Sequence, residues 1–188
     1  RLFKEFVDRN EGFGDSSSIG TMILKDSAGN ESIRQFINMI LEEPNENLGD
    51  NKSLSLEMLK DILLLDNITF VDLQYSDTSD ERNKFFKDYG IEIIKLDNVD
   101  NFNDISGLAS LIDACDFVLS ISNTTVHLSG AIGKKTILML PKGRGKLWYW
   151  SKDGCQSHWY KSIKIYEQKN IGDWSPVINN VLEEIKGV

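Results

Sequence analysis

The chain has 188 residues, of which 40% are hydrophobic and 27% charged, as expected of a globular protein with room for one full core. Its formal net charge is −8 and its sequence pI is about 4.8, which argues against a general nucleic-acid binder. Two isolated cysteines and two histidines without ligand spacing argue against a metal site, and the apolar runs are about half as long as a membrane span needs.

Residues 1–51 form a poorly defined N-terminal segment in the sequence. A short helix could open it, residues 12–20 have the Gly and Ser content of a loop, and residues 21–24 are a candidate strand. Apolar spacing predicts a helix over residues 31–42, and the polar residues 44–51 predict an exposed loop or linker.

The chain start has no signal-peptide pattern and no initiator Met, which is compatible with a piece of a longer protein. The low cysteine count fits a reducing compartment, so we expect a cytoplasmic protein without a transmembrane segment.

Residues 52–188 alternate between strand and helix patterns about five times, with short connections. The apolar runs that predict strands lie at 68–73, 91–94, 117–121, 136–140 and 163–166. The helical spacings lie at 56–63, 79–89, 105–112, 124–132 and from Trp174 to Ile185. The residues that predict helix ends are Ser53 or Ser55 and Asp173 as N-caps, and Gly90 and Gly133 as C-terminal stops.

This alternation predicts right-handed βαβ crossovers, and therefore an α/β fold with a Rossmann-like parallel sheet and helices on both faces. Strands 117–121 and 136–140 are apolar throughout, which is typical of strands that are buried on both faces. Open parallel sheets bind ligands beyond the carboxyl ends of their strands. We therefore expect the site in the loops after Leu73, Ile121 and Leu140.

The loop after Ile121 carries the most informative pattern. A buried strand runs there into Ser122, Asn123, Thr124 and Thr125, and then into a helix rich in small residues. Backbone N–H groups and hydroxyls at a helix N-terminus are a suitable site for a phosphate. The residues alone leave open the alternative that the polar side chains only cap the helix. Ser129, Gly130 and Ala131 predict close packing of this helix on the sheet.

Residues 116–135 resemble a signature of heptosyltransferase-like and tetratricopeptide-linked glycosyltransferases. In this chain the block that follows the strand has the sequence SNTTVHLSGAIGK. The family pattern is an Asp-led strand followed by S/D-T/N-x-x-x-H-x-A/S-G-A-x-G-K. The resemblance extends from about Lys52 to Val188 through Leu140-Pro141, two aromatic runs and Gly172-Asp173-Trp174. It implies the C-terminal, donor-binding domain of a GT-B fold, in which two Rossmann-like domains face a cleft.

The resemblance also implies which residues of the loop after Ile121 meet the nucleotide-sugar donor. The backbone amides of Asn123 and Thr124 and the side chain of His127 would lie near its diphosphate. Ser122 stands where the family often has Asp, so a sugar-hydroxyl contact made by a carboxylate is in doubt there. A lone His on a helix of small and apolar residues is also compatible with a structural role.

Two further residues match family positions outside this loop. Gln74 corresponds to a Gln that borders the nucleotide in relatives, and Lys52 stands where relatives place a cation that can reach phosphate. The alternatives are that Gln74 only stabilises the conformation of its loop and that Lys52 is a solvated surface charge.

The loop after Leu140 contains three cations and two glycines, which is unusual in so acidic a chain. Lys142 and Arg144 are candidates to hold phosphates as charge accumulates on a leaving nucleoside diphosphate, and Lys146 follows them. The alternative is a mobile surface loop. We interpret most of the aromatic residues in the segment 147–160 as core rather than as stacking surfaces.

The resemblance implies transfer of a hexosyl or heptosyl group from a nucleotide-activated sugar to an unknown acceptor, without a metal or other cofactor. A GT-B enzyme needs a second domain, and residues 1–51 do not have the pattern of one. We therefore name no catalytic base, and we expect donor binding with slow turnover or none. The alternatives are a non-catalytic nucleotide- or sugar-binding module and a protein-interaction module, with self-association through exposed cleft surface.

Overall fold

The computed structural model describes residues 54–66, 68–143 and 146–187. The predictions for residues 1–51, for Lys52 and for Arg144 lie outside the described residues, as does the proposed domain boundary.

The order of elements follows the predicted alternation, with one added hairpin. A 3-10 turn, Glu57–Leu59, leads into the short helix α1. The helices are α1 Lys60–Leu63, α2 Ser79–Tyr89, α3 Ile105–Ala114, α4 Thr124–Ala131 and α5 Ser175–Lys186. The strands are β1 Phe70–Val71, β2 Ile93–Ile94, β3 Val118–Ile121, β4 Thr136–Leu140, β5 Lys152–Asp153, β6 Gln156–Ser157 and β7 Ile163–Glu167.

The strands form two sheets. β1 and β2 are a parallel pair, and the larger sheet has the order β3-β4-β7-β6-β5. β3, β4 and β7 are parallel to one another, as predicted for these strands. β5 and β6 are antiparallel, so the prediction of a wholly parallel sheet is wrong and the sheet is mixed. The hairpin escaped the sequence pattern because its strands are two residues long and polar, and it turns at Gly154, where φ is 57°.

Both faces of β3 and β4 are covered by helices. Leu119 and Ile121 of β3 share a core with residues of α1, α2 and α5, while Val118 packs with α3. Leu138 and Leu140 of β4 face a third cluster, which contains Val126 of α4. This alternation explains why every residue of β3 and β4 is buried.

The predicted C-terminal helix ends are confirmed. Gly90 ends α2 in the left-handed region, and its N–H donates to the Phe86 carbonyl. Gly133, with φ at 77°, follows α4 two residues after its end. The predicted N-cap Ser55 is one residue off, because Leu56 is the N-cap of the 3-10 turn, although the Ser55 hydroxyl accepts a hydrogen bond of 3.3 Å from the Met58 N–H. Ser53 lies outside the described residues.

The predicted N-cap of the closing helix is one residue off. The N-cap of α5 is Trp174, not Asp173; the indole of Trp174 is buried in the core and makes no capping hydrogen bond. Asp173 still contributes, since its carboxylate accepts a hydrogen bond of 3.2 Å from the Ser175 N–H.

Candidate functional site

Three loops begin side by side at the carboxyl edge of the larger sheet. β3, β4 and β7 are parallel neighbours in that order. Their pairing with a neighbouring strand continues to the last residue of each strand. Adjacent strands lie roughly 4.8 Å apart. The residues that follow the three strands, and so lie along one edge, are Ser122, Pro141 and Gln168.

Asn123 is the N-cap of α4. Its side chain therefore has the capping role that the sequence left open as an alternative to ligand binding. Its Oδ1 accepts from the Val126 N–H at 3.0 Å, and its Nδ2 donates to the Ser120 hydroxyl and the Ile121 carbonyl. The N–H groups of Thr124 and Thr125 have no acceptor among the described residues, because they open the helix. The end of β3 therefore presents two unpaired backbone donors, and Thr124 is exposed.

Ser122 lies under this helix start and is buried. Its hydroxyl accepts a hydrogen bond of 2.7 Å from the indole N–H of Trp150, which is buried as well. Ser122 thereby fastens the segment after β4 to the end of β3. Among the described residues, the Ser122 side chain makes no other hydrogen bond. Its predicted contact with the nucleotide-sugar donor stays a prediction.

His127 lies one turn into α4, inside a box of aromatic rings formed by Tyr149, Trp150 and Tyr160. Its ring stacks on Trp150 with centroids 4.6 Å apart, and its Nδ1 lies 3.2 Å from the Tyr160 hydroxyl. Burial lowers the pKa of the imidazole below its ordinary value, which favours the neutral form. These contacts agree with the alternative that His127 has a structural role. Its predicted contact with a diphosphate stays a prediction.

Small residues of α4 permit close packing at one position. A Cβ on Gly130 would come within 2.5 Å of the Tyr160 ring. Ser129 is buried and hydrogen bonds with Thr136 of β4. Ala131 is exposed, so its predicted role in packing on the sheet is wrong; it lies on the outward side of the helix.

Of the two described cations in the loop after β4, only Lys142 keeps an uncompensated charge. Its ammonium donates to the Lys169 carbonyl at 2.6 Å, and no carboxylate of the described residues pairs with it. Lys146 instead forms an ion pair of 2.8 Å with Glu167. Of these two described cations, Lys142 is therefore the one that remains for an anionic ligand.

Gln74 is buried at the end of β1, where a network of charges holds its backbone. Its N–H donates to Asp72 Oδ1 at 2.8 Å, and its carbonyl accepts from the Lys95 ammonium and from Asn101 Nδ2. Asp72 also forms an ion pair with Arg82 at 3.5 Å. Gln74 lines an open cleft of about 300 Å³ together with Asp72 and Arg82.

Sequence reasoning missed this network, although an Asp within an apolar strand run was a signal for it. It also missed Gln168, for which the sequence alone gives no signal. The prediction that most aromatics of the segment 147–160 are core is confirmed. Trp150 is buried, and Tyr149 and Tyr160 pack against the same core cluster. Trp148, which is 86% exposed, and Trp159, which is 64% exposed, are the exceptions in this segment.

In the part of the chain that the structure describes, no group of three His, Cys, Asp or Glu side chains could hold a metal ion. None of the helices described there has the length and apolar character that crossing a membrane requires.

Comparison with known proteins gives one distant similarity. Protein FlbA of Caulobacter vibrioides is 29% identical over 126 residues, which are 66% of this chain and 20% of that protein. The chain therefore spans about a fifth of the length of this relative. No family model and no solved structure matches the chain.

Proposed function

We propose that this chain is the donor-binding domain of a glycosyltransferase-like protein of GT-B type, and that it binds a nucleoside diphosphate sugar. The observation that supports this most directly is the start of α4. Two backbone N–H groups follow a buried parallel strand there, and the adjacent loop contains Lys142; the described residues provide neither acceptors for these N–H groups nor a carboxylate for this lysine. Such an arrangement stabilises a diphosphate through the helix dipole, backbone donors and a nearby cation.

The bound donor would have its diphosphate at Asn123 and Thr124, with Lys142 on the side of β4. His127 would act from within its aromatic box as a neutral hydrogen-bonding group. The chain supplies no candidate base for an acceptor hydroxyl among these residues. We therefore expect donor binding without appreciable turnover by this chain alone.

The structure allows a single backbone donor to be deleted. Thr124 is the first residue of α4, where proline is well tolerated, and Asn123 before it is extended, as a residue before proline must be. Thr124→Pro therefore removes one N–H with little harm to the helix. Thr124→Ala removes only the hydroxyl and serves as the matched control.

The test is calorimetric and thermal-shift titration of the 188-residue chain and its variants with UDP, GDP, ADP and CMP. We expect saturable binding of one nucleoside diphosphate, weakened about 10- to 100-fold by Thr124→Pro and less than about 3-fold by Thr124→Ala. His127→Ala should also weaken it. Absence of any binding at millimolar nucleotide contradicts the proposal, and equal affinity of the proline variant contradicts the placement of the diphosphate.

One observation favours a second function, a protein-interaction module. Trp148 and Trp159 expose most of their indoles on the segment 147–160, and such residues are enriched in protein interfaces. Self-association through this segment would be seen as a concentration-dependent mass in sedimentation. Trp148→Ser would then shift the chain toward the monomer without changing nucleotide affinity.

A further inference from the structure

Gln168 lies directly after β7, next to the loop that follows β4. Its side chain is 97% buried, since its exposed fraction is 3%. Its backbone N–H donates to the Leu140 carbonyl at 2.9 Å, and its Oε1 accepts from the backbone N–H of Lys142 at 3.1 Å. Gln168 thus fixes the first residues of the loop after β4 with both its backbone and its side chain.

The other end of the same amide group is unsatisfied. Nε2 is buried, and it has no hydrogen-bond partner among the described residues. The acceptor role of Oε1 toward Lys142 fixes the orientation of the amide, so exchanging its two ends would place two N–H donors against each other. A buried donor without an acceptor is costly, and folded proteins rarely retain one without a reason.

The chemistry around this donor favours an anion. The ammonium of Lys142 is held by the Lys169 carbonyl and has no carboxylate partner in the described part of the chain. Gln168 and Lys142, which are joined by a hydrogen bond, therefore contribute an N–H and a positive charge that lack partners among the described residues, in a chain of net charge −8. Among the described residues, the other buried side-chain atoms without partners are oxygens: Glu81 Oε2, Asn101 Oδ1 and Ser162 Oγ.

We propose that Gln168 Nε2 and Lys142 Nζ form an oxyanion subsite that binds a phosphate oxygen of the donor. This inference rests on the proposed function and adds Gln168 to it as a ligand-binding residue. Nε2 is enclosed in the structure, so binding requires that its neighbours move far enough to admit the phosphate oxygen. The subsite lies at the same edge of the sheet as the start of α4, with β4 between β3 and β7.

Three variants separate this role from a structural one. Gln168→Glu keeps an oxygen for the Lys142 N–H but replaces the donor by a second acceptor. Gln168→Met removes both hydrogen bonds without adding charge. Asn170→Asp is the electrostatic control, because it adds the same charge at an exposed position two residues away. The ligands are inorganic pyrophosphate and the nucleoside diphosphate that the wild-type chain binds best.

We expect Gln168→Glu to weaken the binding of both ligands about 30-fold or more at pH 8, and Gln168→Met about 10-fold. Asn170→Asp should stay within about 3-fold of wild type. In Gln168→Glu the affinity relative to wild type should recover as the pH falls toward 5.5, because a protonated carboxyl regains a donor. A purely structural role of Gln168 would not give this recovery. The folding of each variant is checked by its melting temperature.

Three outcomes contradict the inference and are distinguishable from one another. If wild type binds both ligands and the two Gln168 variants bind them within about 3-fold of wild type, the subsite is wrong and the proposed function stands. The same holds if the variants affect only the nucleotide and not pyrophosphate, since the contact is then not with phosphate. If wild type binds neither ligand, the proposed function fails and the subsite fails with it.

Discussion

The indole N–H of Trp150 donates a hydrogen bond of 2.7 Å to the hydroxyl of Ser122, and both side chains are almost fully enclosed. This bond joins the segment 147–160, which carries the aromatic box, to the end of β3, where α4 begins. The position of the aromatic rings around His127 relative to the start of α4 therefore depends on a contact between residues 28 positions apart in the chain.

The first prediction concerns this bond. Ser122→Ala should lower the free energy of unfolding by about 1–3 kcal/mol, because it leaves the buried indole N–H of Trp150 without an acceptor. The measurement is urea denaturation followed by tryptophan fluorescence. Ser151→Ala, at an exposed hydroxyl, is the control and should change stability by less than about 0.5 kcal/mol. Equal effects of the two substitutions would show that the Trp150 bond contributes nothing.

The second prediction concerns the contact between α4 and Tyr160. Gly130→Ala should destabilise the chain by about 1–3 kcal/mol, although alanine favours helices. The added methyl group would meet Tyr160 Cγ at 2.5 Å and Ile163 Cδ1 at 2.9 Å, so the core is overpacked. Ala131→Ser adds an atom at the exposed neighbouring position and should be nearly neutral. A stabilising Gly130→Ala would mean that the helix does not approach Tyr160 this closely.

The third prediction concerns the pH dependence that His127 imposes. Burial lowers its pKa in the folded chain, whereas in the unfolded chain it is near the ordinary value of about 6.5. The unfolded chain therefore binds more protons between these two pKa values. The stability that the neutral imidazole contributes is fully present above about pH 6.5 and is lost as the pH falls through the window toward the folded pKa.

Melting temperatures of wild type and His127→Gln between pH 8 and pH 5 test this. The wild type should lose more stability than the variant as the pH falls through about 6.5 and below. Tyr160→Phe keeps an aromatic ring over the imidazole and should retain the wild-type pH dependence, because burial and not the hydroxyl causes the shift. Parallel curves for wild type and His127→Gln would show that burial does not lower the pKa of this imidazole in the folded chain.

The fourth prediction concerns the two free thiols. Burial raises the pKa of Cys115 far above its ordinary value, and its Sγ lies 3.1 Å from the Leu111 carbonyl. Cys155 is exposed at the turn of the β5–β6 hairpin. Iodoacetamide at pH 8 should therefore label Cys155 at least about 100-fold faster than Cys115 in the native chain, because only the accessible thiolate reacts. In urea both should react alike, and mass spectrometry of tryptic peptides distinguishes them. Rapid native labelling of Cys115 would contradict the packing of α3 against β3.

Much of the framework follows from sequence periodicity. The near-continuous apolar runs at β3 and β4 predict strands buried on both faces, and left-handed glycines such as Gly90 end the helices where expected. Local patterns suffice for these elements, because backbone hydrogen bonds and the burial of one face act over a few residues. The polar residues between β3 and α4 likewise indicate an N-cap, and Asn123 provides it.

Other features depend on partners that are distant in sequence. The β5–β6 hairpin has no apolar pattern and becomes part of the sheet only by pairing with β7. Trp148 and Trp150 are two residues apart and both aromatic, yet one is exposed and the other is buried against His127 and Ser122. Which of them joins the core is decided by what lies opposite in space.

The candidate site shows the same division. Local composition alone indicates that polar residues follow a buried strand and open a helix, and that cations follow the next strand. Which of these groups stay available depends on packing in three dimensions. Lys146 is paired with Glu167, whereas among the described residues Lys142 has no carboxylate partner and one end of the buried Gln168 amide is unpaired. The physical reason is that hydrogen bonds and charges are satisfied by neighbours in space, and parallel strands bring together residues that are tens of positions apart in the chain.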